Sequence, residues 1–126
     1  MYYNREIESK ILKLSSQYPA IILTGARQTG KTTLLRQLFP KYNYITLDLP
    51  SLAEQAETDP EGFLLSNPSP VIIDEAQYAP ALFRHLKTVI DQNRDLVGQF
   101  IITGSQKFSL MREVSDSLAG RCVWLE

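Results

Sequence analysis

The segment Gly25-Ala26-Arg27-Gln28-Thr29-Gly30-Lys31-Thr32 places glycines at both ends of a short loop and follows the second with a lysine and a hydroxyl side chain. Glycine lets a loop curl until successive backbone N–H groups point inward, which makes a concave site for anions. A helix opening at Gly30 would bring the positive end of its dipole to the same spot. That combination suits the phosphates of a nucleoside triphosphate, with Lys31 reaching the β- and γ-phosphates and the Thr32 hydroxyl joining a Mg²⁺ shell. Arg27 and Gln28 occupy the loop interior, where their backbone amides serve more surely than their side chains.

A second cluster follows one strand–helix excursion later. Val71-Ile72-Ile73-Asp74-Glu75 ends an apolar run on two carboxylates, at the edge where ligands bind in open α/β sheets. Asp74 suits an acid that holds Mg²⁺ through its water shell, the Walker B role. Glu75 suits a general base that orients or activates a water in line with the γ-phosphate. Read alone, two acids at a strand end describe a solvated turn; beside a phosphate loop they describe half of a hydrolytic site. The pair also points to nucleoside triphosphatases that insert a strand between the phosphate-loop strand and the acidic strand, with expected order 5-1-4-3-2. That layout sets Thr103-Gly104-Ser105-Gln106 beside the γ-phosphate, where Ser105 first and Thr103 second would sense the nucleotide or position water. The alternative for those hydroxyls is to cap the next helix.

Other residues carry weaker signals. Arg121 follows Leu118-Ala119-Gly120 and is a candidate arginine finger, against a surface or capping role; Arg84, Arg94 and Arg112 have less support. His85 reads as a solvated helix position. Asp48 could face the nucleotide edge or cap a loop, and Tyr2, Tyr3, Tyr42 and Tyr44 read as packing residues.

The elements that must position these groups are legible from periodicity. Ile7, Ile11 and Leu14 predict an amphipathic helix over 5–17, stopped by Tyr18-Pro19. Ala20 to Thr24 is a continuous apolar run of the kind buried on both faces of a parallel sheet. Helix resumes from Gly30 to Phe39. A second strand is expected over 44–48, a polar helix over 52–58 and a short helical piece over 60–66. The third strand is 71–74, and a helix begins near Pro80 with Leu82, Phe83, Leu86, Val89 and Ile90 inward. Gln99 to Thr103 is the fourth strand, Leu110 to Leu118 a further helix, and Cys122 to Leu125 a fifth strand. Alternation of strands and helices implies parallel βαβ crossovers, hence a three-layer α/β fold with a five-stranded parallel sheet.

Composition sets the outer bounds. The 126 residues suffice for one core, and 44% hydrophobic with 21% charged residues is ordinary for a globular domain. A net charge of −1 gives no global case for nucleic-acid or membrane binding. Cys122, the single cysteine, forms no intramolecular bridge and no zinc site by itself. No apolar run approaches the ~20 residues of a membrane span, and the start lacks a signal-peptide pattern, so a cytoplasmic location is expected.

The run from Gly25 to Thr32, continued by Thr33-Leu34-Leu35, together with Val71 to Gln77, Phe100 to Gln106 and Ser117 to Arg121, resembles the AAA-14 type ATPase domain. That domain forms the N-terminal half of a large group of prokaryotic ATP-binding proteins that usually also carry a C-terminal DUF4143 domain. The blocks occur in the right order and cover nearly the whole chain. The resemblance implies an AAA+-like ATPase core with ATP as ligand and Mg²⁺ as cofactor. It carries over Lys31 and Thr32, within the nucleotide-binding run that ends at Thr33, as phosphate and metal contacts, Asp74 as the magnesium acid and Glu75 as the hydrolytic base. Ala76 stands where valine is more usual. Relatives continue past Glu126 into a lid and the DUF4143 part, so residues 1–126 are expected to be a motor core cut from a larger protein, with weak turnover alone.

Three functions are compatible with the motifs: an ATPase core driving an effector domain or protein partner, an ATP-dependent switch with little hydrolysis, and a small-molecule kinase. The Asp74-Glu75 pair and the polar end of the fourth strand favour the ATPase over the kinase. No Asn-Lys-x-Asp motif occurs, which disfavours GTP. An arginine finger at Arg121 acting between subunits would require a homo-oligomer.

Overall fold

Short runs of β-branched and other apolar residues form five strands, all parallel, in a computed structural model that describes residues 5–24, 31–93, 95–104 and 122–125. They are β1 (Ala20–Thr24), β2 (Asn43–Thr46), β3 (Val71–Asp74), β4 (Phe100–Gly104) and β5 (Cys122–Leu125). Their spatial order is β2-β3-β4-β1-β5, the expected 5-1-4-3-2 read from the other edge. The described helices are α1 (Arg5–Ser15), α2 (Lys31–Leu38), α3 (Pro50–Thr58), α4 (Pro60–Ser66) and α5 (Pro80–Gln92), with a 3₁₀ turn at Ala76–Tyr78.

Two-residue alternation along the central strands divides the core into two layers. Ala20, Ile22, Val71, Ile73, Phe100 and Ile102 face one way, against Ala56 of α3, Phe63 of α4 and Leu82, Phe83, Leu86 and Ile90 of α5. Ile21, Leu23, Ile72 and Ile101 face the other, against Ile11 of α1 and Leu34 and Leu35 of α2. The sheet is thus covered on both faces, as an all-parallel sheet requires. Each fully buried Ile, Leu or Phe contributes about 1.5–3 kcal/mol of transfer free energy.

Local chemistry explains where elements start and stop. α3, α4 and α5 each begin on a proline, whose fixed φ and missing N–H suit the first helical position. Asp59 caps α4 by accepting from the Gly62 N–H at 3.1 Å. The Glu57 carboxylate, carried on α3, accepts from Ala81 N–H at 2.6 Å and so serves the open N-terminal turn of α5. α1 stops at Ser15, two residues before the expected end. There the Ser15 and Ser16 hydroxyls donate to the carbonyls of Leu12 and Lys13, and backbone bonds from Ser16 and Gln17 span three residues, which tightens and closes the turn.

β2 runs from Asn43 to Thr46 and not from Tyr44 to Asp48. Asn43 is drawn into the sheet by its N–H on Pro70 and its side-chain amide on Pro68. Leu47 still donates to Asp74, but Asp48 N–H turns back to the Thr46 hydroxyl at 3.2 Å. Gly98, at φ 64°, lets the chain pass under α1 into β4. A Cβ there would meet the Ser15 carbonyl at 2.7 Å. The helix expected over 110–118 lies outside the described residues.

Candidate functional site

The carboxyl edge of the sheet brings two of the candidate groups together. Asp74 ends β3 on the side shared by Ile72, and Thr103 lies on the side of Ile101, the layer covered by α2. The Thr103 hydroxyl donates to Oδ1 of Asp74 and accepts from the Glu75 N–H at 3.2 Å. With only 2% of its surface exposed, Thr103 spends its hydroxyl on the two acids. The other carboxylate oxygen of Asp74, Oδ2, accepts from the Tyr44 hydroxyl at 3.0 Å. The Arg36 guanidinium of α2 lies 4.7 Å from the centre of the Tyr44 ring, within cation–π range. Burial first, and then the adjacent Asp74 carboxylate, push the Tyr44 phenol up to about 12, against a smaller opposing pull from Arg36 and Thr46.

Glu75 has left-handed backbone angles, φ 57° and ψ 45°. A non-glycine residue costs about 1–2 kcal/mol there, so neighbours must fix it. Thr103 holds its N–H, and its carbonyl starts the 3₁₀ turn through Tyr78 N–H. The buried side-chain amide of Gln77 donates to Glu75 Oε1 at 3.3 Å. Left-handed geometry turns the chain sharply after β3, so Ala76 and Ala79 enter the α5-side core while the two acids stay at the sheet edge. Strain of this kind clusters where a side chain must be aimed.

β1 ends at Thr24, on this same edge. β4 lies between β1 and β3, with Thr24 opposite Gly104 and Ile73 opposite Ile102; two strand spacings, about 10 Å, separate β1 from β3. Gly25, Ala26, Arg27, Gln28, Thr29 and Gly30 lie outside the described residues, as do Ser105, Arg121 and the Lys31 side chain. Lys31 opens α2, with Thr32 half-buried and Thr33 exposed in its first turn. The oxygen donors present fit Mg²⁺. Among the described residues each Asp74 oxygen accepts one hydrogen bond and keeps a further lone pair, and Thr32 supplies a hydroxyl. Among the described residues there is no group of three or more His, Cys, Asp or Glu that could cage a metal, and Mg²⁺ characteristically takes few protein oxygens beside water and phosphate.

Other candidates sit elsewhere. Asp48 is exposed beyond the edge strand β2. Arg84 and His85 ride on α5, on the opposite layer. His85 lines a cleft of about 510 Å³ with Glu61, Leu64, Thr88 and Gln92, near the amino ends of β3 and β4. Tyr44 and Gln77 were not expected from sequence to touch the acids, nor Arg36 to lie over the Tyr44 ring. Strand alternation sets Tyr44 and Thr46 on one side of β2, but the β2–β3 register, Thr46 opposite Asp74, is what makes the contact.

Fold and motifs together define a P-loop ATPase domain of the AAA type, a class that binds nucleotide. The chain belongs to the AAA_14 family of AAA domains, whose family model matches residues 17–126. It is 33% identical to an uncharacterized protein of Mycobacterium tuberculosis and to one of Mycobacterium bovis, over 97% of this chain and 28% of each relative. It therefore spans little more than a quarter of those curated relatives. Among solved structures it is similar to RuvB of Thermotoga maritima, with TM-score 0.59, 21% identity, and coverage of 98% of this chain and 45% of that one. It is also similar to a Walker-type ATPase of Pyrococcus abyssi, with TM-score 0.57, 20% identity, and coverage of 98% and 53%. Among the described residues no helix is long and apolar enough to cross a membrane.

Proposed function

We propose that this chain binds ATP with Mg²⁺ and hydrolyses it as the motor core of a larger AAA+-like protein. The observation that carries the reading is the pair of acids at the end of β3, both tied to one buried hydroxyl on the neighbouring central strand. A solvated turn needs no such tether and no left-handed glutamate. The arrangement suits a site in which one acid is fixed and the next is aimed differently.

In this reading the amides from Gly25 to Gly30 cradle the phosphates, and Lys31 neutralises β- and γ-oxygens. Thr32 and Asp74 would hold Mg²⁺, which when bound draws charge from the phosphate oxygens. Glu75 accepts a proton from the attacking water as its oxygen bonds to the γ-phosphorus. The bond from that phosphorus to the β–γ bridging oxygen breaks, and ADP and inorganic phosphate leave. The Gln77 amide fixes one Glu75 oxygen, which limits the orientations the base can take. Ser105 reports on the γ-phosphate, and Arg121 neutralises charge at the transferred group. Residues 1–126 form the core, and lid and effector would come from further parts of the larger protein. A homo-oligomer follows if Arg121 acts on a neighbouring subunit.

Equilibrium binding of ATP to the wild type and to Lys31→Ala tests the first half of the proposal. Binding should be lost in the variant while its melting temperature holds, and phosphate release by the wild type should need no acceptor but water. Undiminished binding in Lys31→Ala would overturn the loop assignment. Release or transfer that occurs only with an added small-molecule acceptor would make the protein a kinase.

A further inference from the structure

We propose that Tyr44 is a positioning residue for the magnesium acid, holding Oδ2 of Asp74 while Thr103 holds Oδ1. The inference rests on the assignment of Asp74 made above. Tyr44 stands opposite Ile72 in the β2–β3 register, and Asp74 is one alternation further along β3, opposite Thr46. The phenol therefore reaches along the strand by one two-residue repeat, about 7 Å, to place its hydroxyl 3.0 Å from Oδ2. The hydroxyl of Thr46, the residue directly across from Asp74, receives the Asp48 N–H. Phenylalanine would fill the same space without the donor.

The grip has a second anchor. Arg36 lies over the Tyr44 ring at 4.7 Å, so the ring is held between the sheet and α2, the helix that begins at the phosphate-binding lysine. A carboxylate gripped at both oxygens cannot rotate freely about its last torsion. The orientation it presents to a metal-bound water is then set before the metal arrives, and little rotational freedom remains to be lost. One lone pair on each oxygen remains beyond these two contacts. Tyr44 touches neither nucleotide nor metal in this scheme; it acts through Asp74.

The test uses the full chain, a fluorescent ATP analogue, and titrations in EDTA and at stepped Mg²⁺ concentrations. Tyr44→Phe, which keeps the ring and its Arg36 contact, should bind the analogue in EDTA as the wild type does. It should need roughly tenfold more Mg²⁺ for half-maximal tightening, the low end of what losing an outer-shell partner costs. Asp74→Asn should lose the Mg²⁺-dependent tightening altogether. If Asp74→Asn behaves so and Tyr44→Phe matches the wild type, the positioning role is wrong and the Asp74 assignment stands. If Asp74→Asn also matches the wild type, the metal-acid assignment beneath both is wrong. Equal weakening of Tyr44→Phe with and without Mg²⁺ would make Tyr44 a packing residue of the β2–α2 layer and overturn the proposal.

Discussion

Replacing Thr103 with valine keeps a β-branched side chain of nearly the same shape and deletes one hydroxyl. That hydroxyl donates to Asp74 and accepts from the Glu75 N–H at 3.2 Å, in a residue 2% exposed. A hydrogen bond to a carboxylate is worth about 1.5–3 kcal/mol, and an amide left unpaired costs about 1 kcal/mol more. Asp74 is only half-buried, and water can replace part of the first contact, so a net loss of about 2–3 kcal/mol is expected. In a chain of 126 residues each kcal/mol moves Tm by about 4 °C, so Thr103→Val should melt about 8–12 °C below the wild type. Thr103→Ser keeps the oxygen and loses a methyl, a cost nearer 1 kcal/mol. Function should follow the same order, since the tether that fixes Glu75 in its left-handed conformation is gone in valine and kept in serine. Phosphate release should fall more than ATP affinity in Thr103→Val. Thermal melts, nucleotide titration and phosphate release on the three proteins decide it. A valine variant as stable and as active as the wild type, or a serine variant worse than valine, would show that the Thr103 hydroxyl does not hold the two acids.

Two further outcomes follow from the same geometry. Glu75→Ala and Glu75→Gly both delete the carboxylate and its Gln77 contact, but only glycine relieves the left-handed backbone, so glycine should be the more stable by about 1 kcal/mol, the reverse of the usual order; chemical denaturation of the pair measures it, and alanine ranking above glycine would contradict the strain. The Tyr44 phenol, raised from 10.0 to about 12, is bound to its proton more tightly in the folded state, so its contribution to stability is complete below pH 10 and fades as pH rises through about 12. Spectrophotometric titration of the wild type against Tyr44→Phe should show that the lost phenol is a late-titrating one, and a lost phenol with ordinary behaviour would contradict burial against Asp74.

Legibility of the fold varied with how local its causes are. β3 was readable to the residue because Val71-Ile72-Ile73 is a continuous β-branched run cut off by carboxylates. α4 and α5 were readable because Pro60 and Pro80 start them. The strand order followed from the Asp74-Glu75 pair and its implication of an inserted central strand, whereas periodicity alone does not order strands. The end of β2 was misjudged, since Leu47 and Asp48 continue its apolar and polar pattern while the Thr46 hydroxyl captures the Asp48 N–H and turns the chain. The site was legible as motifs and not as contacts. Asp74 and Glu75 announce themselves in sequence, but the hydroxyls that orient them come from Tyr44 and Thr103, about thirty positions away on either side, and only strand register brings them near. The left-handed Glu75 has no sequence signal, because its conformation is enforced by Thr103 and the turn that follows and runs against its own preference.

The most direct test of hydrolysis by Glu75 is phosphate release from ATP and Mg²⁺ by the wild type and by Glu75→Gln, measured beside nucleotide occupancy of the same samples. Glutamine keeps the shape and cannot take the proton. ATP binding should equal that of the wild type, with intact ATP retained and phosphate release abolished. Phosphate release at the wild-type rate from Glu75→Gln would contradict the role of Glu75 as the base.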